Sequence, residues 1–133
     1  MVKWNGLSTD QVETCWPEIL SILGPAMGRR GSDFTPEDIL LGAKRGKFQI
    51  WIVHEEKIVA VVVTEIIKYS ARKVCLVKAL AGKGIGEWIY LLDAVLIPWA
   101  KASGCDTIRG YCRPGLAKIL DWKVTKIVME KEI

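Results

Sequence analysis

The stretch LAGKGIGEW, residues 80–88, places three alternating glycines and a lysine between an apolar run and an apolar, tryptophan-bearing pattern. The preceding run, VCLVKAL, is rich in valine and leucine and predicts a strand. Residues 87–102 carry apolar side chains at helical spacing, and Gly104 predicts the helix end. A strand, a glycine turn and a helix start can bind a pyrophosphate through backbone N–H groups. The same residues are typical of a tight turn with close strand–helix packing, so both interpretations stay open.

Two common phosphate-binding motifs do not fit this loop. A P-loop needs a glycine five residues before its Gly-Lys pair and Ser or Thr after it, where this sequence has Val77 and Gly84. A dinucleotide fingerprint reads G-x-G-x-x-G after the first strand of a βαβ unit. Here Gly82, Gly84 and Gly86 are spaced by two and follow a later strand, so the match to that motif is weak.

Helix and strand patterns alternate on both sides of the loop. Residues 8–23 predict a first helix, in which Pro17 either bends the helix or begins a second one. FTPEDILLGAKRG, residues 34–46, predicts the next helix because Thr35 caps it, Pro36 lies in its first turn and Gly46 closes it. A loop is predicted between them, and a short helix at residues 113–120. Strands are predicted at residues 1–4, 47–54, 58–69, 74–80, 105–112 and 123–133.

This order predicts an α/β (α+β) sandwich with a mixed, mostly antiparallel sheet of about six strands flanked by helices. The 133 residues suffice for one domain, predicted at residues 1–133. No segment approaches the roughly 20 apolar residues that a membrane span requires. The first ten residues lack a signal-peptide core, so a cytoplasmic protein is expected.

The charge and the cysteine content indicate which ligands and partners to expect. The net charge of +4 is spread along the chain, which permits an anionic ligand and makes nucleic acid an unlikely partner. The four cysteines form no CxxC pair and accompany one histidine, so reduced thiols are predicted and a metal site is not.

The order of elements, with AGKGIG at the strand-to-helix turn, resembles the GCN5-related N-acetyltransferase (GNAT) fold. In that family a loop of the form Arg/Gln-x-x-Gly-x-Gly/Ala binds the pyrophosphate of acetyl-CoA. Its six positions correspond here to Ala81, Gly82, Lys83, Gly84, Ile85 and Gly86. The two glycines at 84 and 86 match, and Ala81 stands where Arg or Gln is usual. The resemblance implies acetyl-CoA as the cofactor, with the preceding strand, including Leu76 and Val77, holding the pantetheine.

Segments from most of the chain are also similar to short GNAT-like proteins encoded in tailed-bacteriophage genomes. The similar segments are FTPEDIL, GKFQIWIV, VVVTEI, EW, WAKASGCDTI and EKEI, and WAKASGCD with GYCRPG is the most specific part. Arg113 and Gly115 fit the pattern of those proteins, and Leu116 stands where Trp is usual. This likeness implies a phage-encoded protein in the host cytoplasm or in the virion.

Acetyl transfer needs a base for the amine proton and often an acid for the departing thiolate. Glu65 is the predicted base, because it is an acidic residue inside an otherwise apolar strand. The alternative places it near the strand end, in a polar groove or paired with Lys68 or Arg72. The resemblance implies a tyrosine acid after the fifth strand, but no tyrosine follows Tyr111. Tyr111 and Tyr69 therefore remain as candidate proton donors.

Other polar and aromatic residues have a structural and a functional interpretation. His54 is expected to be a solvated turn residue, although it could act in catalysis. Trp51 and Trp88 are expected in the core, with a groove as the alternative. Basic residues that could contact a phosphate or a partner, or form a solvated surface, are Arg29, Arg30 and Arg113.

Two functions follow from these expectations. The first is an acyl-CoA-dependent N-acetyltransferase that uses acetyl-CoA and an unknown amine acceptor. The second is a catalytically inactive GNAT-fold phage protein that serves as a virion component or binds a host protein. Exposed edge strands and the tryptophans also make a homodimer plausible.

Overall fold

The structure, a computed structural model, describes residues 1–29, 33–112 and 114–133. One mixed sheet has the order β1-β2-β3-β4-β5, and its strands are Lys3–Gly6, Phe48–His54, Ile58–Lys68, Lys73–Gly82 and Thr107–Gly110. The helices are α1 (Thr9–Arg29), α2 (Pro36–Lys44), α3 (Ile85–Trp88), α4 (Leu91–Ala102) and α5 (Pro114–Leu120). Strands β1 to β4 pair antiparallel, and β5 pairs parallel with β4. The predicted mixed, mostly antiparallel sheet between helices is confirmed.

Helices α1 and α2 cover one face of the sheet. Val12, Ile19 and Leu23 of α1 are buried against the sheet together with Ile39 of α2. Thr35 caps α2 as predicted, and the cap is a capping box, in which the Thr35 hydroxyl accepts from the Asp38 N–H and the Asp38 carboxylate accepts from the Thr35 N–H. This cap fixes the start of α2 beside β2.

Helices α3 and α4 cover the opposite face. Trp88 of α3 and Leu92 and Leu96 of α4 are buried against Trp51 and Val62 of the sheet. Because both faces are covered, the central strand β3 is apolar on both sides, which accounts for its run of valines. Trp51 and Trp88 are therefore core residues, as expected.

Two helical regions differ from the prediction. Pro17 lies inside a single helix, α1, which neither ends nor restarts there and which continues through residues 24–29, where a loop was predicted. The helix predicted at residues 87–102 is two helices, α3 and α4. The Leu92 N–H donates to the Ile89 carbonyl, only three residues back, so the chain tightens at this junction. In the described part of the chain no helix is long and apolar enough to cross a bilayer.

The strand predicted at residues 123–133 is not formed. These residues have no regular secondary structure, and most of their side chains are exposed. The valine, threonine and isoleucine content of this segment is typical of a strand, but a strand requires a hydrogen-bonding neighbour. The structure shows no neighbour for this segment within the described residues.

Candidate functional site

A cleft opens where β4 and β5 separate. Their parallel pairing runs from Val74 opposite Thr107 to Val77 opposite Gly110 and ends there. Beyond this point the strands diverge around a cavity of about 300 Å³. Its walls are residues 77–80 of β4, residues 110–112 after β5, Ile85, Leu92, and Gly115, Leu116, Ile119, Leu120 and Trp122.

A β-bulge bends β4 at the mouth of this cleft. Thr64 of β3 lies opposite Val77, whereas Val63 lies opposite Ala79, so Lys78 is an extra residue in β4. A bulge bends its strand and increases the local twist. The separation of β4 from β5 begins at this residue.

A buried polar contact fixes the β3 side of the bulge. The Thr64 side chain is fully buried, accepts a hydrogen bond from the Trp51 indole N–H at 3.0 Å and donates to Gln49 Oε1 at 3.1 Å. A buried hydroxyl without partners would be costly. The three side chains therefore hold β2 and β3 in register beside the bulge.

The Lys78 side chain is directed away from the cleft toward the α2 side of the sheet. Its Nζ lies 3.2 Å from Glu65 Oε1, and both side chains are only 10% and 13% exposed. Nζ also lies 3.8 Å from the centre of the Phe34 ring and 4.9 Å from that of Phe48. Lys47 is a more distant partner of Glu65, at 3.9 Å. The predicted base is therefore ion-paired, but with Lys78 and Lys47 and not with Lys68 or Arg72.

The three glycines of the loop have three different explanations. Gly82 has φ 149°, and a Cβ there would lie 2.5 Å from both Ala60 Cβ and the Val59 carbonyl oxygen. Gly84 has a left-handed φ of 66° and precedes α3. Gly86 has no left-handed φ, and a Cβ at this position would meet no atom within 4 Å. Strand packing therefore explains Gly82, backbone conformation explains Gly84, and Gly86 leaves its backbone bare to solvent.

The loop is held from both sides while several of its amides stay free. The Lys83 N–H donates to the Val59 carbonyl at 3.1 Å, and the Trp88 indole N–H donates to the Lys83 carbonyl at 2.9 Å. In contrast, the structure gives no hydrogen bond for the N–H groups of residues 84–86, all within its described part. The loop therefore has a fixed backbone with three unused donors.

Comparisons with known proteins identify solved structures with a similar architecture. The sequence matches no family model, and no curated protein is significantly similar to it. Among solved structures, an aminoglycoside acetyltransferase from an uncultured soil metagenomic sample, in complex with sisomicin, matches with a TM-score of 0.73. That match has 11% identity and covers 99% of this chain and 95% of the other.

Two clostridial structures are also similar. A predicted acetyltransferase with acetyl-CoA from Clostridium acetobutylicum has a TM-score of 0.71 and 14% identity, covering 99% of this chain and 96% of that one. A possible acetyltransferase from Clostridium difficile 630 has a TM-score of 0.68 and 14% identity, covering 100% and 98%. The chain has the GNAT fold. The TM-scores establish the fold, and at such low identity the activity has to be argued from the site.

On this GNAT fold, the residues predicted to bind the cofactor lie in two settings. Val77 and Ile85 line the cleft, and exposed Lys83, Gly84 and Gly86 flank Ile85 in the loop. Leu76 is buried and opposite Arg109 of β5, so it lies in the paired part of β4. Ala81 is buried in the core beneath α1, and Gly82 pairs with Ala60. Leu76, Ala81 and Gly82 shape the site without lining it.

The candidate proton donors and the histidine are dispersed. Tyr111 is 67% exposed and lies in the wall of the cleft. Tyr69 packs on Arg109, with the guanidinium 5.9 Å from the ring centre. His54 Nε2 is hydrogen-bonded to Asn5 Oδ1 between β1 and β2 and does not line the cleft. The Arg29 side chain, Arg30 and Arg113 lie outside what the structure describes.

The wall opposite β4 was missed from the sequence. Leu116, Ile119 and Leu120 of α5 line the cleft, and Trp122 follows them. The Trp122 indole N–H donates to Asp93 Oδ1 of α4 at 3.1 Å, which fixes the end of α5. The sequence signal for this wall was the helical spacing of apolar residues in GLAKIL. That spacing does not show that the helix lines a cleft until the position of β5 beside β4 is known.

The other end of the β4–β5 pair is closed. The Asp106 N–H donates to the Lys73 carbonyl at 3.0 Å, and the Lys73 N–H donates to Asp106 Oδ2 at 3.1 Å. The hydrogen bond from the Thr107 hydroxyl, together with the Lys73 N–H, lowers the pKa of Asp106 below its usual value. Between the ends of the pair, burial raises the pKa of the Cys75 thiol to about 12.

Proposed function

We propose that this protein is an acyl-CoA-dependent N-acetyltransferase that binds acetyl-CoA in the cleft between β4 and β5. The observation that carries the proposal is the position of the cleft. It opens where two parallel strands separate, next to a loop whose amides at residues 84–86 have no hydrogen-bond partner. Ligands of open α/β sheets bind at the carboxyl ends of such strands.

The loop has the backbone N–H groups and the positive charge that can bind a pyrophosphate. Free N–H groups that lie close together bind phosphate oxygens, and the Lys83 side chain adds a positive charge beside them. The absence of a side chain at Gly86 leaves room for a ligand to approach the backbone. The first residue of the usual loop pattern, here Ala81, is buried in the core and contributes no charge.

The free edge of β4 has backbone hydrogen-bonding groups that can bind the pantetheine. After Val77, the backbone of β4 has no strand partner on the side of β5, so its polar groups there can pair with the amides of an extended ligand. The apolar side chains of Leu80, Leu116 and Ile119 line the same cavity and exclude water from it. Acetyl-CoA bound there would supply a thioester as the activated acyl group.

The chain must then accept a proton from the amine whose nitrogen forms the new bond to the acyl carbon. Glu65 is the proposed acceptor; it does not line the cleft and pairs with Lys78 on the α2 side of the sheet, so the proton is proposed to reach it through a water molecule. The departing thiolate takes up a proton as its bond to carbon breaks. Lys78 Nζ, at 3.2 Å, holds the Glu65 carboxylate in place. Tyr111, in the wall of the cleft, is the proposed donor to the thiolate.

The acceptor is proposed to be an amine-bearing molecule. One structure of this fold was determined with the aminoglycoside sisomicin, which makes aminoglycosides the first class to try. A cytoplasmic location remains a proposal that rests on the first ten residues, which lack a signal-peptide core. A phage-encoded protein that acts without catalysis, in a virion or on a host protein, is a second proposal, supported by the sequence likeness to phage proteins.

A thiol-release assay tests transfer. The purified protein is incubated with acetyl-CoA and sisomicin, a lysine peptide or a small polyamine, and free CoA is measured over time. We expect release that depends on one amine class and is strongly reduced in Gly86→Asp at acetyl-CoA concentrations that do not saturate the wild type. Acetyl-CoA binding without release from any amine would contradict the enzyme and favour the inactive GNAT-fold protein.

A further inference from the structure

The outer edge of β5 carries unpaired backbone groups. Strand β5 ends the sheet and pairs only with β4 in the part of the chain that the structure describes. The free edge of a strand exposes N–H and C=O groups that can pair with an extended peptide. Here that edge is Thr107–Gly110. A peptide can therefore add a strand at this position.

A wide groove lies along this edge. It has a volume of about 1120 Å³ and runs between residues 107–112 on one side and residues 122–128 on the other. One strand residue occupies about 160 Å³, from a rise of about 3.3 Å, a strand spacing of about 4.8 Å and a sheet thickness of about 10 Å. The groove therefore has room for an extended segment of about seven residues.

The charged side chains of this groove are all basic. Arg72 and Arg109 line it on the side of the sheet, and Lys123 and Lys126 line the opposite wall. No Asp or Glu of the described residues is part of the wall, although the chain has 15 acidic residues against 19 basic ones. None of the four forms an ion pair with a described residue, and Arg72 lies near Asp106, whose pKa its charge helps to lower. Both walls therefore carry an excess of positive charge.

Arg109 is oriented to bind a carboxylate. Its guanidinium lies 5.9 Å from the centre of the Tyr69 ring. Stacking on an aromatic ring leaves the N–H groups at the edge of a guanidinium free to donate. The preceding residue, Ile108, packs with the apolar residues on the face that α3 and α4 cover. Because side chains alternate along a strand, β5 presents a charged position on one face and an apolar position on the other.

The wall opposite β5 begins at a fixed residue. The Trp122 N–H donates to the Ala117 carbonyl at 2.9 Å, and the Trp122 indole N–H donates to Asp93 Oδ1 at 3.1 Å. No backbone hydrogen bond joins residues 123–133 to any other described residue. This wall therefore starts away from β5 and does not itself pair with the free edge.

We propose that the groove binds an extended acidic peptide of a partner protein, which adds to the edge of β5 as a further strand. Its acidic side chains lie on the face of Arg109, where charge-assisted hydrogen bonds form, and its apolar side chains lie on the face of Ile108. Val124 and Val128 line the far wall and are 68% and 71% exposed, so a bound peptide removes apolar surface from water. The preferred peptide therefore alternates acidic and β-branched residues.

The unpaired edge favours a peptide over a nucleic acid. A single-stranded nucleic acid can place its phosphates beside the four cations. It lacks the regularly spaced N–H and C=O groups that complete the edge of a sheet. The combination of a free strand edge and basic walls therefore fits an acidic peptide.

Fluorescence anisotropy with labelled heptapeptides tests the site. The probe EVEVEVE, which alternates glutamate and valine, is titrated with the protein in the absence of acetyl-CoA. We expect a dissociation constant below roughly 100 µM, and binding roughly 10-fold weaker for EVEPEVE, because its proline lacks an N–H group and interrupts a strand. The oppositely charged KVKVKVK should not bind. Equal affinity for EVEVEVE and EVEPEVE, or no binding of EVEVEVE at millimolar protein, would overturn the proposal.

Two arginine variants separate the groove from the net charge. Arg109→Gln should weaken EVEVEVE binding roughly 10-fold. Arg45→Gln removes the same charge at the exposed end of α2, outside the groove, and should bind as wild type does. Equal weakening in both variants would show that net charge alone attracts the peptide. Tighter binding of an oligothymidylate with the same number of charges would assign the groove to nucleic acid instead, and either result would contradict the proposal.

Amide hydrogen exchange locates the bound peptide. In the free protein, the outward-facing amides of residues 107–110 should exchange rapidly, and saturating EVEVEVE should slow their exchange. Slow exchange of these amides without the peptide would show that this chain or a second copy already covers the edge. Peptide-induced protection confined to other strands would place the binding site elsewhere. Either of these two results would refute peptide addition at β5.

Discussion

The two ends of the β4–β5 pair are built in opposite ways. At one end Asp106 and Lys73 exchange two hydrogen bonds, and the Lys73 ammonium also donates to the Ser103 carbonyl at 2.6 Å. At the other end, pairing stops at Val77 and Gly110 and a cavity of about 300 Å³ opens. The same two strands are therefore tied together at one end and held apart at the other.

The difference separates stability from proposed function. The closed end satisfies its backbone groups internally, as a structural contact should. The open end leaves donors and acceptors unused beside an apolar wall, and those groups are available to a ligand. The bulge at Lys78 produces this contrast, because it bends β4 after the paired part ends.

The largest change in stability is expected at Gly82, where the open end is attached to β3. In Gly82→Ala the new methyl group would lie 2.5 Å from two neighbouring atoms at a backbone φ of 149°. We expect a loss of about 2–4 kcal/mol of unfolding free energy, measured by urea denaturation. Gly86→Ala, with nothing within 4 Å, is the control and should stay within about 1 kcal/mol of wild type. Equal effects of the two substitutions would contradict the distinct roles assigned to these glycines.

The next effect concerns binding and not stability. In Gly86→Asp a carboxylate enters the first turn of α3, where negative charge favours the helix, but it repels the pyrophosphate proposed to lie there. We expect the acetyl-CoA dissociation constant to rise by roughly 10- to 100-fold, or about 1.4–2.8 kcal/mol, with little change in stability. Gly86→Asn has the same size without the charge and should lose clearly less affinity. Unchanged acetyl-CoA affinity in Gly86→Asp would show that the loop is not part of the binding site.

The ion pair behind the bulge has a structural role and a proposed catalytic role, which a double variant can separate. Glu65→Gln and Lys78→Met should each cost on the order of 1–3 kcal/mol, because each leaves a half-satisfied polar group at a mostly buried position. The double variant should cost less than the sum. If Glu65 accepts the amine proton, kcat falls roughly 100-fold or more in both Glu65→Gln and the double variant. Recovery of kcat in the double variant would show that Glu65 only neutralises Lys78.

The smallest effect is expected at the closed end. The pKa of Asp106 is lowered by the Thr107 hydroxyl and the Lys73 N–H, so its carboxylate stabilises the fold above the unfolded-state pKa of about 4. That contribution is lost as the pH falls through the lower, folded-state pKa. Asp106→Asn should therefore be slightly less stable than wild type at pH 7 and equal to it in strong acid, by urea denaturation. A difference independent of pH would exclude the charge as its source.

Local sequence patterns predicted the parts of the site that depend on neighbouring residues. The strand, the glycine turn and the helix start are all present at residues 73–88, and Thr35 caps α2 as expected. These features depend on backbone conformation and hydrogen bonds within a few residues. Such local features can be predicted from a single sequence.

The remaining features depend on contacts between distant segments. The bulge at Lys78 is a register difference between β3 and β4, and nothing in the residues themselves specifies it. The hydrogen bond from Trp88 to the Lys83 carbonyl and the α5 wall around Leu116 likewise appear only in three dimensions. The strand predicted at 123–133 failed for the same reason, since a strand pattern does not state which strand will pair with it.

The most direct measurement of the central claim is calorimetric titration of the protein with acetyl-CoA and, separately, with desulfo-CoA. The loop and the strand edge contact the pyrophosphate and pantetheine in this account, so both ligands should bind with micromolar dissociation constants, and Gly86→Asp should weaken both. If neither ligand binds the folded protein at near-millimolar concentration, the cleft between β4 and β5 is not an acyl-CoA site.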